Sequence, residues 1–172
     1  MAQSNKVSII SMVATIVIIG FILQVVFVYA DKRDSPHKAV VEFSKAYFWL
    51  DKATMNKRLC NAQKTIDEVN AIDEYIQRAT NEAGQMGFEL NYMKNTVYHI
   101  KTQTLSKDDS KAVVRLTCCK KKAINPLYMT VARIFRLNKT YHIDETINVI
   151  KEDKTWKVCG KVFELTDNQD LT

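Results

Sequence analysis

Two charged side chains interrupt apolar runs in the C-terminal half of the chain. Over residues 127–137, strand alternation places Arg133 on the same side as Leu127, Met129, Val131, Phe135 and Leu137. Over residues 140–151, it places Glu145 among Tyr141, Ile143, Ile147 and Val149. A loop at 138–140 joins the two strands in a register that pairs every apolar residue and also sets Arg133 opposite Glu145. The spacing therefore predicts a facing ion pair.

Two roles are open for this pair. It is a structural ion pair shielded within the sheet, because an unpaired charge in an apolar site is costly. Alternatively it is the polar end of a ligand pocket, with Glu145 as base or Arg133 as anion clamp, and an open cavity beside it would favour this role. His99 and Asp144 do not lie on the apolar faces of the predicted strands, and the tyrosines are interpreted as core aromatic residues. The sequence therefore predicts no catalytic residue, no cofactor and no metal site.

The chain contains four cysteines, of which Cys118 and Cys119 are adjacent. They form no C-x-x-C motif, which makes a zinc ribbon or a thioredoxin-like site improbable. Alternation points both Cys119 and Cys159 away from the core. A disulfide between these two is expected if their strands are neighbours, and buried free thiols are the alternative.

The formal net charge of +6 is concentrated in the middle of the chain, where residues 94–139 hold eleven basic and two acidic side chains. The densest basic patch is Lys120, Lys121 and Lys122. It is interpreted as a solvated hairpin end, with a basic face toward an acidic partner or anionic lipid as the alternative. No aromatic residue interleaves this run, so nucleic acid is not an expected partner.

Residues 7–29 carry no charged side chain. A helix of this length covers ~34 Å, enough to cross a hydrocarbon core of about 30 Å. The stretch predicts a single-pass transmembrane helix with the lipid bilayer as partner, and it is longer than the apolar core of a signal peptide. Ser11, Thr15 and Gln24 would face partner helices or their own backbone. The following domain is expected on the extracytoplasmic side, the periplasm if the source is bacterial.

Beyond this stretch the pattern is α+β. Ser35 and Pro36 form a helix start, and helical spacing continues to about residue 83. Period-two alternation then predicts strands near 92–105, 111–120, 127–137, 140–151 and 155–165. The expected fold is a cone of about three helices packed on a curved antiparallel sheet of about five strands. The predicted divisions are an arm at 1–6, the membrane helix at 7–29, a linker at 30–35, the domain at 36–165 and a polar tail at 166–172.

Four segments of this domain carry a family resemblance. Residues 39–51 and 55–59 resemble the opening helices of the nuclear transport factor two-like superfamily, 111–116 resembles its central strand, and 152–160 resembles its closing strand. The resemblance implies a cone-shaped fold over 36–165. It implies no particular activity, because the superfamily includes isomerases, dehydratases and non-catalytic domains, and no catalytic residue carries over.

An N-terminal anchor before such a cone also resembles the inner-membrane assembly factors of type IV secretion and conjugation machines. Asn125-Pro126-Leu127 is similar to their Asn-Pro motif, although it stands earlier in the domain. The first functional hypothesis is a membrane-anchored, non-catalytic scaffold or accessory subunit that contacts other subunits of a membrane complex. The alternatives are a secretion-machine component and a tethered small-molecule binder or enzyme that uses the cone interior.

Overall fold

The computed structural model describes residues 2–31, 33–66, 69–124, 126–135, 139–163 and 165. It divides into two compact units, one over 1–34 and the other over 35–172. The larger unit holds the core, the sheet and an open cavity.

The first unit contains one helix, α1 (Ala2–Asp31). Its described side chains, at 11–27, are exposed, and the Thr15 hydroxyl donates to the Ser11 carbonyl at 2.9 Å. Within the residues that the structure describes, no helix combines the length and the apolarity that crossing a membrane requires.

This finding contradicts the transmembrane helix predicted over 7–29. The single-pass membrane location and the extracytoplasmic placement of the domain depended on that helix, so these predictions are wrong as well. The lipid bilayer as a partner stays a prediction.

The second unit is α+β. Its helices are α2 (Pro36–Trp49), α3 (Lys52–Arg58), α4 (Asn61–Lys64), α5 (Ala71–Gln85) and α6 (Pro126–Ile134), with a 3₁₀ turn at Leu90–Met93. Two short strands, β1 (Thr65–Ile66) and β2 (Val69–Asn70), pair antiparallel. The main sheet is antiparallel, in the order β3 (Asn95–Lys107), β4 (Lys111–Lys122), β5 (Tyr141–Glu152) and β6 (Thr155–Cys159).

Short polar side chains cap the N-termini of three helices, and the first of these starts, at Ser35 and Pro36, is the one that the sequence predicts. The Ser35 hydroxyl accepts a hydrogen bond from the Lys38 backbone N–H at 3.2 Å, and Pro36 occupies the first turn. Asp51 and Asn70 cap α3 and α5 in the same manner. Such caps satisfy N–H groups that have no partner within the helix.

The core lies between the helices and one face of the sheet. Alternate residues of β4 and β5 face it, including Val114, Leu116, Ile147 and Val149, and α2 contributes Phe43, which is fully buried. The His37 ring ties α2 to β3, because its two nitrogens lie 2.9 Å and 2.8 Å from the hydroxyls of Thr102 and Thr104.

Among the described residues the main sheet has four strands, so the prediction of about five is wrong. The stretch predicted as the third strand, 127–137, instead forms helix α6 over most of its length. Pro126 provides a favourable first helical position, and the apolar residues satisfy helical spacing as well as alternation. Tyr128 and Ala132, four residues apart, lie on the covered side of α6, whereas Leu127 and Ile134 are exposed.

Candidate functional site: an open basic and aromatic cavity

The predicted register between Arg133 and Glu145 is not formed. Because 127–134 is helical, β5 pairs with β4 and β6, and Leu116 stands opposite Glu145. The side chain of Arg133 lies outside the described residues. Glu145 nevertheless keeps the orientation that alternation assigns to it, on the same face as Ile143 and Ile147.

Glu145 lines an open cavity of about 650 Å³ at the end of the sheet where β4 ends and β5 begins. This volume lies within the range of about 300–1,000 Å³ that is usual for ligand sites. Helices α2 and α5, the 3₁₀ turn and the sheet all contribute to its walls. The side chains that line the cavity include Tyr47, Phe48, Tyr75, Arg78, Glu82, Asn95, Lys120, Lys122, Ile143, Glu145 and Phe163.

Strand alternation explains why two lysines enter this cavity. Along β4 the side chains of Ala112, Val114, Leu116 and Cys118 face the core, and the same face continues to Lys120 and Lys122. Lys121 points to the opposite face, where its amine lies 4.8 Å from the centroid of the Tyr98 ring. The basic patch predicted from the sequence is therefore divided between two faces of the sheet.

Each cavity lysine lies against aromatic rings. The Lys120 amine is 5.3 Å from the centroid of Phe48 and 5.9 Å from that of Tyr141. The Lys122 amine donates to the Tyr92 carbonyl at 3.2 Å and lies 4.9 Å from the Tyr92 ring. Ring faces attract cations, so these contacts hold the amines in place without neutralising them.

The charges of the cavity are mixed. Burial lowers the pKa of Lys122, and the nearby Lys120 lowers it further against the opposing effect of Glu82. Among the described residues, neither Lys120 nor Lys122 has a carboxylate within ion-pair distance, and Glu145 has no basic group within that distance. Both ammonium groups and the Glu145 carboxylate therefore remain available to a ligand.

Stacked rings form the apolar wall of the cavity. The Tyr47 ring stacks on Tyr75, with centroids 4.4 Å apart, and on Phe163 at 4.8 Å. Phe48 meets Phe163 edge to face at 5.0 Å. The Tyr75 hydroxyl donates to the Tyr47 carbonyl at 3.3 Å, which fixes one ring against the backbone of α2. Such packing gives the cavity a wall that is already formed before a ligand binds.

The cysteines pair differently from the prediction. Cys60 and Cys159 form a disulfide with Cα atoms 5.4 Å apart, whereas Cys118 and Cys119 are free and buried. The predicted Cys119–Cys159 bridge is absent because β5 separates β4 from β6. The Cys119 sulfur instead lies 3.4 Å from Nδ1 of His142, its neighbour across the ladder, and burial raises the pKa of the Cys118 thiol.

One polar site within the core carries no signal in the sequence. Arg58, which is 4% exposed, donates from Nε to the Glu42 carboxylate at 2.6 Å and from a terminal nitrogen to the Trp156 carbonyl at 3.1 Å. These contacts join α3, α2 and β6. The partners stand 16 and 98 residues away in the chain, so spacing alone does not bring them together.

No protein-family model matches the chain, and no curated protein matches it. The resemblance to the nuclear transport factor two-like superfamily therefore stays a prediction.

Proposed function

We propose that the unit over 35–172 is a non-catalytic binding domain that serves as an accessory or scaffold subunit of a protein complex. One segment of a partner protein would occupy the open cavity. The observation that carries this proposal is the combination of a preformed aromatic wall with two ammonium groups and a carboxylate that have no ion-pair partner among the described residues.

Exposed aromatic residues beside the cavity favour a protein as its ligand. Tyr141 is 52% exposed and lies below the Lys120 amine at the mouth. Trp49 is 46% exposed, and the Lys94 amine lies 5.5 Å from its ring. Tyrosine and tryptophan are enriched in the centres of protein interfaces, because they bury a large apolar area and keep a polar group for hydrogen bonding. The binding surface thus extends beyond the cavity.

Photo-crosslinking in the native host would test this function. A crosslinking amino acid replaces Tyr141 at the mouth or, as a matched control, Leu105, which is 53% exposed at the opposite end of β3. We expect one partner protein to be captured at position 141 and not at 105. That capture should be lost when Lys120→Glu is added, because the substitution reverses a charge in the cavity.

Two outcomes would contradict the proposal. One is equal capture of the same proteins at both positions, which would indicate non-specific contact. The other is capture at position 141 that Lys120→Glu leaves unchanged, which would place the partner outside the cavity.

A small molecule is the second candidate, and the cavity volume favours it. Native mass spectrometry of the protein purified from its host would distinguish the two. A bound small molecule that dissociates on unfolding, together with no specific capture at position 141, would replace the first proposal with this one.

A further inference from the structure

The charges of the cavity are separated along the strand direction. Lys120 stands opposite Tyr141 in the ladder, and Glu145 stands four residues farther along β5 on the same face. At about 3.3 Å per residue, the backbone positions at the two ends are ~13 Å apart. The cavity therefore has a positive end at Lys120 and a negative end at Glu145.

The wall between these ends is apolar. Ile143 lies midway between Tyr141 and Glu145 on β5, and the rings of Phe48 and Phe163, which belong to segments outside the sheet, line the same space. Arg78 and Glu82 lie one turn apart on α5 and carry opposite charges. Together they therefore leave the net charge of the cavity unchanged. An occupant that satisfies the whole cavity carries an anion, an apolar middle and a cation, in that order.

We propose that the cavity binds an extended peptide segment in which an acidic and a basic side chain stand four residues apart with apolar residues between them. This inference rests on the proposed function, since it names the chemistry of the partner segment. An extended chain advances about 3.3 Å per residue, so four residues match the separation of the two ends. The carboxylate meets Lys120 and Lys122, and the basic group meets Glu145.

Four synthetic peptides test this assignment. The first is acetyl-Asp-Leu-Phe-Leu-Lys-amide, and the others replace Asp, Lys or both by Asn. Binding to the full chain is measured by isothermal titration calorimetry at low and high salt. We expect the doubly charged peptide to bind about tenfold more tightly than the neutral one, with a smaller advantage in high salt.

Protein variants then assign each end of the peptide. Lys120→Gln with Lys122→Gln should abolish the difference between Asp and Asn at the first position and leave the last position unaffected. Glu145→Gln should abolish the difference between Lys and Asn at the last position only. Lys121→Gln is the matched control, because Lys121 lies on the other face of the same strand, and it should change neither difference.

Several results would overturn the inference. One is equal binding of all four peptides. Another is that no peptide binds at about 1 mM, a concentration that corresponds to a weak affinity. A third is that Lys121→Gln changes the preference for the charged peptides as much as substitution of the cavity lysines does. If crosslinking at position 141 still captures its partner in a Lys120-dependent manner, the proposed function stands and the charge assignment alone fails. If that capture also fails, both proposals fall.

Discussion

At the residue scale, Arg58 is the most deeply buried charged side chain among the described residues. Its guanidinium joins Glu42 and the Trp156 carbonyl in a site that leaves it 4% exposed. Removing one partner of a buried pair leaves the other charge and any lost hydrogen bond uncompensated. Glu42 retains 34% side-chain exposure, so water can partly rehydrate it.

We expect Arg58→Ala to lower the free energy of unfolding by about 3 kcal/mol, the lower end of the range for broken buried pairs. Urea unfolding followed by circular dichroism measures this change. The control is Lys52→Ala, because the Lys52–Asp73 pair is roughly half exposed and should contribute less than about 1 kcal/mol. Similar losses in the two variants would show that the Arg58 contacts do not form.

Residue orientation within a strand could be predicted from the sequence, whereas partners could not. Alternation assigned Glu145 to the inward face, where it lines the cavity. The same alternation places Lys121 on the opposite face of the sheet from Lys120 and Lys122. The aromatic rings that these lysines contact, however, come from distant segments of the chain. Contacts between distant segments are fixed by tertiary packing, and no local pattern in this chain encodes them.

At the element scale, α6 shows how one apolar pattern fits two periods. Residues 127–134 satisfy strand alternation, yet they belong to a helix that begins at Pro126, with Ala132 at 1% exposure and Leu127 at 75%. The helix shortens the sheet by one strand and leaves β4 and β5 as direct neighbours. Short apolar runs are ambiguous in this way because helix and strand compete for the same residues.

Substitutions in α6 would show which side of the helix is covered. Ala132→Leu should lower the free energy of unfolding by about 1–3 kcal/mol, because it forces added volume into a filled site. Leu127→Gln should change it by less than about 0.5 kcal/mol, since that side chain is already solvated. Thermal unfolding of the two variants measures the difference. A strand over 127–137 would reverse the two effects, because alternation places Leu127 on the apolar side and Ala132 on the opposite side.

Helix α3 depends on the carboxylate of Asp51. This side chain accepts from the Thr54 hydroxyl at 2.6 Å and from the backbone N–H groups of Ala53 and Thr54. The Thr54 hydroxyl is the main reason that the pKa of Asp51 is lowered from its ordinary value of 3.8, and the backbone N–H groups lower it further. The folded state therefore favours the ionised form.

Asp51→Ala should lower the free energy of unfolding by about 1 kcal/mol at neutral pH, as expected for loss of an N-cap. Because the folded pKa lies below the unfolded one, this contribution is present above pH 3.8 and is lost as the pH falls through the folded pKa. Asp51→Asn keeps an acceptor but does not titrate, so it should retain part of the stability and lose this acid dependence. Unfolding curves at pH 7 and pH 3 compare the three proteins, and an unchanged acid dependence in Asp51→Asn would assign it to other carboxylates.

At the scale of the whole molecule, the outer edge of β6 is joined to the segment that follows α3. Leu59 forms a parallel bridge with Val158, the Cys60 backbone N–H donates to the Val158 carbonyl at 2.9 Å, and Cys60 is bonded to Cys159. Beside this disulfide, burial opposes ionisation of Glu152, but hydrogen bonds from Lys157 and the Asn61 backbone still lower its pKa. Four cysteines allow several pairings. The strand order decides between them, and that order is set by the fold and not by the spacing of the cysteines.

Loss of the Cys60–Cys159 bond should therefore affect the stability of the entire second unit. The bond closes a loop with a sequence separation of 99 residues, and a loop of about 100 residues restricts the unfolded chain by up to ~4.7 kcal/mol in the entropic account. We expect the double substitution Cys60→Ser and Cys159→Ser to lower the free energy of unfolding by about 2–5 kcal/mol.

Adding a reductant to the native protein should produce the same loss and should not affect the double variant. Cys119→Ser provides the matched control, because that thiol is free and should leave the response to reductant unchanged. If the reductant leaves the urea unfolding midpoint of the native protein unchanged, hydrogen bonds and packing alone hold the edge of β6.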